Sequence, residues 1–131
     1  QQRQAPPRGN GEVVLVAEDQ DRLRELARDI LDSLGYRVLT ASNGQQALEV
    51  YRSADHVDLL VTDVVMPEMG GGELLRVLRE SVPDLKAIAM TGYGIEQEIG
   101  HLRDAHVSEV LRKPFDVQVL AVAVRRALDQ T

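Results

Sequence analysis

The sequence predicts an α/β fold in which a parallel sheet carries helices on both faces. Five short apolar runs alternate along the chain with segments whose apolar residues recur every three or four positions. Such alternation of strand and helix is typical of a parallel sheet with crossover helices. The length of 131 residues suits one compact domain. Because 44% of the residues are hydrophobic but only 3% are aromatic, its core must be aliphatic.

Each element follows from its local pattern. The apolar runs predict strands at residues 13–17, 36–40, 58–62, 86–90 and 107–111. Apolar spacing of i, i+3 and i+4 predicts helices at residues 23–34, 44–54, 73–81, 95–102 and 117–129. Gly35 is expected to end the first helix, and Asp116 is expected to cap the N-terminus of the last.

The composition of the first eleven residues differs from that of the rest. Residues 1–11 are rich in Gln, Pro and Gly and contain almost no apolar side chains. Such a segment cannot bury a face against a core. We therefore expect a flexible linker or tag at residues 1–11 and the folded domain at residues 12–131.

The folded domain is acidic and free of cysteine. The net charge is −6, and because Arg3 and Arg8 are the only charges in residues 1–11, residues 12–131 carry −8. An acidic body argues against direct nucleic-acid binding. No apolar stretch of the sequence is long enough to span a membrane, so no membrane contact is expected. The lack of Cys fits the reducing cytoplasm, where we expect the domain to act.

Polar residues follow four of the five predicted strands. Glu18 and Asp19 follow the first strand, Asp63 the third, Thr91 the fourth and Lys113 the fifth. Open α/β sheets bind their ligands at this carboxyl edge. Carboxylates that are brought together repel one another and favour a cation, and Mg²⁺ prefers hard oxygen ligands. The sequence therefore predicts a Mg²⁺ site formed by the three acids.

The same edge suits phosphoryl transfer. The backbone carbonyl of Val65 could complete the metal's protein ligands. The carboxylate of Asp63 is a competent nucleophile, and the resulting charge on phosphoryl oxygens needs neutralisation. Lys113 would supply a positive charge and Thr91 a hydroxyl donor. We expect Asp63, Thr91 and Lys113 to be the catalytic residues.

From residue 13 to about residue 128 the chain resembles the receiver domain of two-component response regulators. The segments that carry the resemblance are VLVAED, which ends at Asp19, DVVMPEMGG from Asp63, MTG at 90–92, and KPF from Lys113. The resemblance implies a doubly wound, flavodoxin-like fold with five helices and strand order 2-1-3-4-5. It also implies Mg²⁺ at Asp19, Asp63 and the Val65 carbonyl, and a cis peptide bond before Pro114.

The resemblance also implies a function and partners. A histidine kinase or a histidine phosphotransfer domain would donate a phosphoryl group to Asp63. The domain would then be a switch that catalyses its own phosphorylation and dephosphorylation, not a metabolic enzyme. Its motifs are most similar to receivers of hybrid sensor histidine kinases, for which residues 1–11 would be a linker.

Two features leave the output of this switch open. The family couples the strand-four Thr to an aromatic side chain three residues before the strand-five Lys, but Val110 occupies that position. We expect instead a backbone shift of the loop after Thr91 that is carried by Tyr93 and the fourth helix. Val119 and Val122 fall outside the apolar stripe of the last helix. They indicate either chance exposure or a surface for a partner or a homodimer, formed by the fourth helix, the fifth strand and the fifth helix.

Three alternatives share this fold. A pseudo-receiver would dock partners without being phosphorylated. A flavin-binding protein would need a phosphate-cradling loop after the first strand, where Glu18 and Asp19 stand instead. Phosphatases with an Asp nucleophile usually place a second Asp two residues later, where this chain has Val65.

Two further expectations concern residues near the site. We expect Gly71 to be needed for a positive φ angle, because glycine adopts it without steric cost. The charged stretch from Arg22 to Arg28 is interpreted as a solvated helix face.

Overall fold

The computed structural model describes residues 5–92 and 107–130. Five parallel strands form one sheet in the order β2-β1-β3-β4-β5. The predicted fold class and strand order are therefore confirmed. The predicted fourth helix, at residues 95–102, and Tyr93 lie outside the described residues.

The elements alternate along the chain as the sequence predicts. The strands are β1 (Val13–Ala17), β2 (Arg37–Ala41), β3 (Leu59–Asp63), β4 (Ala87–Thr91) and β5 (Glu109–Arg112). The helices within the described residues are α1 (Asp21–Ser33), α2 (Gly44–Ser53), α3 (Gly71–Ser81) and the C-terminal helix α4 (Val117–Asp129).

The sheet separates two apolar layers because successive side chains of a strand point to opposite faces. On β1, Val14 and Val16 pack in the layer that includes α1 and α4, whereas Leu15 and Ala17 pack with α2 and α3. All five residues of β1, β3 and β4 are buried. Burial on both faces explains why these strands are apolar without alternation.

Three helix ends carry residues that commonly begin or end helices. Asp116 caps α4 by accepting a hydrogen bond from the Val119 N–H at 2.8 Å, as predicted. Asn43 caps α2 in the same way through the Gln46 N–H. Gly35 follows α1 with a φ of 97°, a conformation that glycine adopts readily.

Strand β2 begins one residue later than its apolar run suggests. The Tyr36 N–H donates to the Leu31 carbonyl at 3.1 Å, so this residue still completes the end of α1. Pairing with β1 begins at Arg37, whose N–H donates to the Glu12 carbonyl at 2.9 Å. Strands β3 and β4 are displaced by one residue in the same direction, and β5 begins at Glu109 instead of residue 107.

The segment before β1 contacts the folded domain. The N–H groups of Gly9 and Gly11 donate to the carbonyls of Leu34 and Gly35 at 2.7 and 2.9 Å. A Cβ atom on Gly9 would lie 2.5 Å from the Tyr36 ring, so only glycine fits without movement. Residues 9–11 therefore lie along the end of α1. The boundary between residues 11 and 12 remains a prediction.

Candidate functional site

The carboxyl edge of the sheet is organised by hydrogen bonds that extend the strand ladders. The Glu18 N–H donates to the Ala41 carbonyl at 3.0 Å, one residue beyond the end of β1. The Lys113 N–H donates to the Thr91 carbonyl at 2.7 Å, one residue beyond the end of β5. These bonds place both side chains at the same edge as Asp63, the last residue of β3.

Three carboxylates converge at this edge. Glu18, Asp19 and Asp63 each offer a carboxylate oxygen, and these oxygens all lie within 4.8 Å of one another. Glu18 and Asp63 are buried, whereas Asp19 is exposed to solvent. The structure therefore brings together the three acids that the sequence selects for a cation.

Lys113 reaches the two buried acids. Its Nζ donates to Asp63 Oδ2 at 2.9 Å. It also forms an ion pair with Glu18 Oε1 at 2.5 Å, without the alignment of a hydrogen bond. One lysine thus contacts two of the three carboxylates, and the cluster keeps an excess of negative charge. A divalent cation of suitable size would balance that excess.

The charges in this cluster perturb one another. Burial raises the pKa of Glu18 to about 7, although the hydrogen bond from the Gln20 N–H and the contact with Lys113 favour its carboxylate form. Burial by itself would lower the pKa of Lys113, but Glu18 and Asp63 outweigh that effect and raise it. Lys113 is therefore a permanent cation at neutral pH.

Thr91 contributes an unpaired hydroxyl. The side chain lies at the end of β4 and is 1% exposed, yet its Oγ1 has no hydrogen-bond partner among the described residues. A buried hydroxyl without a partner costs free energy, because its hydrogen bonds to water are lost. Such an atom can donate to an oxygen of a ligand that enters the cluster.

The backbone after Asp63 is fixed by close approaches, which corrects the expectation for Gly71. The φ angle of Gly71 is not positive. A Cβ atom there would instead collide with the carbonyl oxygen of Asp63, so glycine is needed to let the start of α3 approach β3. The Gly71 N–H also donates to the Val64 carbonyl at 3.0 Å. Gly44, at the start of α2, approaches the Met69 carbonyl of the same loop in the same way.

The loop that carries Val65 contains a strained turn. Val65 lies two residues beyond Asp63 with its side chain half exposed. Glu68 has a φ of 69°, and the Met69 N–H donates to the Pro67 carbonyl at 2.8 Å. This bond closes a three-residue turn around a non-glycine residue with positive φ, a rare and costly conformation that tends to occur at functional sites.

Two other expectations can be compared with the structure. The peptide bond between Lys113 and Pro114 is cis, as the family resemblance implied. Val110 lies on β5 with an exposed side chain. No aromatic side chain stands at this position.

Arg24 was not recognised from the sequence. The charged stretch around it predicts a solvated helix face, and Arg22 and Arg28 are exposed as predicted. The Arg24 side chain is only 19% exposed, and its Nη1 donates to the Glu18 carbonyl at 2.9 Å. The sequence signal for this contact is the position of Arg24 in the first turn of α1, six residues after Glu18, from which its side chain can reach the loop before the helix.

The sequence of the chain matches a known family. Residues 14–125 match the response regulator receiver domain family model. The chain belongs to this family. The chain is 40% identical over 119 residues to the sensor kinase CckA of Brucella abortus, and the match covers 90% of this chain but only 13% of that protein. It is also 30% identical to the sporulation initiation phosphotransferase F of Bacillus subtilis, over 89% of this chain and 94% of that protein.

Solved structures agree with this assignment. The chemotaxis protein CheY4 of Vibrio cholerae superposes with a TM-score of 0.84 at 26% identity, over 90% of this chain and 99% of that chain. This receiver domain therefore takes part in two-component signalling. Among the described residues, no helix has the length and apolar character that crossing a membrane requires.

Proposed function

We propose that this receiver domain accepts a phosphoryl group on Asp63 in a Mg²⁺-dependent reaction. The observation that carries the proposal is the combination of Asp63 with its unbalanced surroundings. Its carboxylate contacts one lysine, stands among two further carboxylates, and faces a strand end whose buried hydroxyl has no partner. Most buried charges and donors in structural clusters have partners, so several unmatched groups at one strand edge favour a ligand site.

The proposed reaction is a transfer between a phosphohistidine and an aspartate. An Asp63 carboxylate oxygen attacks phosphorus, an O–P bond forms, and the P–N bond breaks. The electron pair of the broken bond goes to the imidazole nitrogen, which takes up a proton. Lys113 and the hydroxyl of Thr91 would stabilise charge on the transferred oxygens. Because both are already at the strand ends, little reorganisation is needed.

The donor set fits Mg²⁺. Glu18, Asp19 and Asp63 are hard oxygen donors with excess negative charge, and the Val65 carbonyl would add a neutral oxygen. When bound, Mg²⁺ neutralises the attacking carboxylate and the phosphoryl oxygens, which would otherwise repel each other. Lys113 then balances the charge that the metal leaves.

The finer identity of the domain and its partners also belongs to this proposal. The relationship to the sensor kinase CckA supports a receiver of the hybrid type, with a histidine kinase or a histidine phosphotransfer protein as the phosphoryl donor. Residues 12–131 would be the receiver domain, and residues 1–11 the segment that precedes it. A cytoplasmic location, the lack of direct nucleic-acid binding and a homodimer that involves β5 and α4 are predictions on the same footing.

Phosphorylation with a small-molecule donor tests the proposal. We expect a phosphoramidate, whose P–N bond resembles that of phosphohistidine, to add one phosphoryl group per chain in the presence of Mg²⁺. Intact-protein mass spectrometry measures the product. Asp63→Asn should abolish the modification. Asp58→Asn is a matched control, because Asp58 precedes the same strand at the opposite edge of the sheet and should leave the modification unchanged.

Other results of these experiments would distinguish a pseudo-receiver from a receiver that is phosphorylated at another residue. If the wild type binds Mg²⁺ but accepts no phosphoryl group, and beryllofluoride shifts no amide resonance near Asp63, the domain is a pseudo-receiver. If Asp63→Asn is still modified, the acceptor lies elsewhere. Beryllofluoride shifts that spread to β5 and α4 would support an output face there.

A further inference from the structure

The side chain of Arg24 bonds to both ends of the loop between β1 and α1. Its Nη1 donates to the backbone carbonyl of Glu18 at 2.9 Å, and its Nη2 forms an ion pair with Asp21 at 2.6 Å. The backbone N–H of Arg24 donates to the Gln20 carbonyl at 2.9 Å. The guanidinium therefore bridges both ends of the segment that contains Asp19.

The other side of this loop is held by a different contact. The Gln20 N–H donates to Glu18 Oε2 at 3.0 Å, while the second oxygen of Glu18 contacts Lys113. The side chain of Gln20 makes no cap for α1, so the Glu18 carboxylate serves the N–H at the cap position instead. Glu18 is thus held through its carboxylate and through its carbonyl. The exposed Asp19 lies between Glu18 and Gln20.

We propose that Arg24 is a positioning residue that preorganises Glu18 and Asp19 for a divalent cation. This inference rests on the proposed function, which supplies the cation. Partners of metal ligands fix the ligands' orientation, and their removal typically lowers metal affinity by about 10- to 100-fold. Arg24 would act in this way through the backbone of Glu18, not through the carboxylate.

The sign of the effect separates positioning from simple charge. Arg24 is a cation close to a proposed cation site, so electrostatics alone predicts that its removal strengthens Mg²⁺ binding. A positioning role predicts weaker Mg²⁺ binding, because a loosened loop loses conformational entropy when the metal orders it. The two effects therefore cannot be confused in a titration.

The experiment is a Mg²⁺ titration of wild type, Arg24→Met and Arg24→Lys, followed by amide NMR. Met keeps helix propensity and most of the side-chain bulk while removing the donors. We expect the Mg²⁺ dissociation constant to rise about 10-fold in Arg24→Met and by less in Arg24→Lys, whose ammonium can still donate to the Glu18 carbonyl.

Arg28→Met is the matched control. Arg28 lies one turn later on the same helix, half exposed, and its contact with Asp29 is 3.6 Å long. Its removal deletes the same charge and should leave Mg²⁺ affinity within about 2-fold of wild type. Unchanged or tighter binding in Arg24→Met would overturn the proposal.

Amide hydrogen exchange in Mg²⁺-free protein gives a second readout. We expect the Gln20 N–H to exchange about 10-fold faster in Arg24→Met, with Ala27 and Leu31 in the buried face of α1 unchanged. If wild type does not bind Mg²⁺, the proposed function fails, but this exchange result still tests the loop contact. Unchanged exchange at Gln20 would refute the positioning role in either case.

Discussion

The two edges of the sheet use charge in opposite ways. At the amino edge, the Val13 N–H donates to Asp58 Oδ2 at 2.8 Å, and Lys86 Nζ donates to the Leu128 carbonyl at 2.8 Å. Arg125 joins Glu12 and Asp129 at 2.8 and 2.9 Å. Each of these charged groups has at least one hydrogen-bond or ion-pair partner.

At the carboxyl edge the groups are not balanced. Three carboxylates cluster around a single lysine contact, which reaches Glu18 and Asp63, and the hydroxyl of Thr91 is buried without a partner among the described residues. Buried like charges cost stability, and the proposed cation would offset that cost. Buried negative charge in excess, not the number of polar residues, distinguishes the proposed working edge. A buried hydroxyl without a partner does not, because the hydroxyl of Tyr36, just before β2, is also buried without a partner among the described residues.

The largest difference between the edges should appear when the lysine of each edge is replaced and the effects on stability and phosphoryl loading are compared. Lys113→Met leaves two buried carboxylates without their cation, so we expect the Mg²⁺-free protein to lose about 2–3 kcal/mol of unfolding free energy. Phosphoryl loading should fall at least about 100-fold, because the charge on the transferred oxygens is no longer neutralised. Chemical denaturation and mass spectrometry measure the two effects.

Lys86→Met provides the control at the amino edge. Lys86 donates to a neutral carbonyl, so its replacement should cost about 1 kcal/mol and leave loading at the wild-type rate. Similar loading defects in both variants would mean that Lys113 acts only through stability.

The next largest effect that we expect is a pH dependence of stability that arises from Glu18 at the carboxyl edge. The pKa of Glu18 is raised from its ordinary value of 4.5 to about 7 in the fold, so between these values the folded protein binds more protons than the unfolded chain. Stability without Mg²⁺ should therefore fall as pH rises through this window, by roughly 2 kcal/mol. Lys113 stays charged throughout and adds no slope. Denaturation curves from pH 4.5 to 7.5 measure the effect.

Glu18→Gln should remove that slope and weaken Mg²⁺ binding, since one ligand charge is lost. The variant should be more stable than wild type at pH 7.5 without the metal. A slope that survives the substitution would assign the titration to another group of the cluster.

The sequence predicted the architecture because β1, β3 and β4 are short apolar runs buried on both faces, and because segments with helical spacing of apolar residues alternate with the strands. The residues of the site were also predictable, since strand ends of a parallel sheet must meet at one edge. What escaped prediction depends on contacts between elements. Tyr36 belongs to the end of α1 by a hydrogen bond that no apolar pattern encodes. Glycine is needed at position 71 because a Cβ atom there would collide with the Asp63 carbonyl oxygen. The role of Arg24 depends on its hydrogen bond to the Glu18 carbonyl in the loop before α1.

A smaller effect is expected from the arginine at the amino edge. Arg125 ties residues before β1 to α4 and is partly buried, and the hydrogen bond with Asp129 raises its pKa. Arg125→Met should cost about 1 kcal/mol and accelerate amide exchange at Gly9, with Mg²⁺ affinity unchanged. Its exposed neighbour Arg126 is the control, because Arg126→Met loses only a 3.6 Å contact with Glu109. Altered Mg²⁺ affinity in Arg125→Met would show that the edges are coupled.

The smallest effects should differ in sign at the two ends of β3. Asp63→Asn removes one negative charge from a crowded cluster, so we expect the Mg²⁺-free protein to gain about 0.5 kcal/mol. Asp58→Asn weakens a charge-assisted bond to the Val13 N–H and should lose about 0.5–1 kcal/mol. Paired denaturation curves in chelator measure both. A loss in both variants would mean that the contact between Asp63 and Lys113 outweighs the repulsion within the cluster, and the carboxyl edge would then be as well balanced as the amino edge.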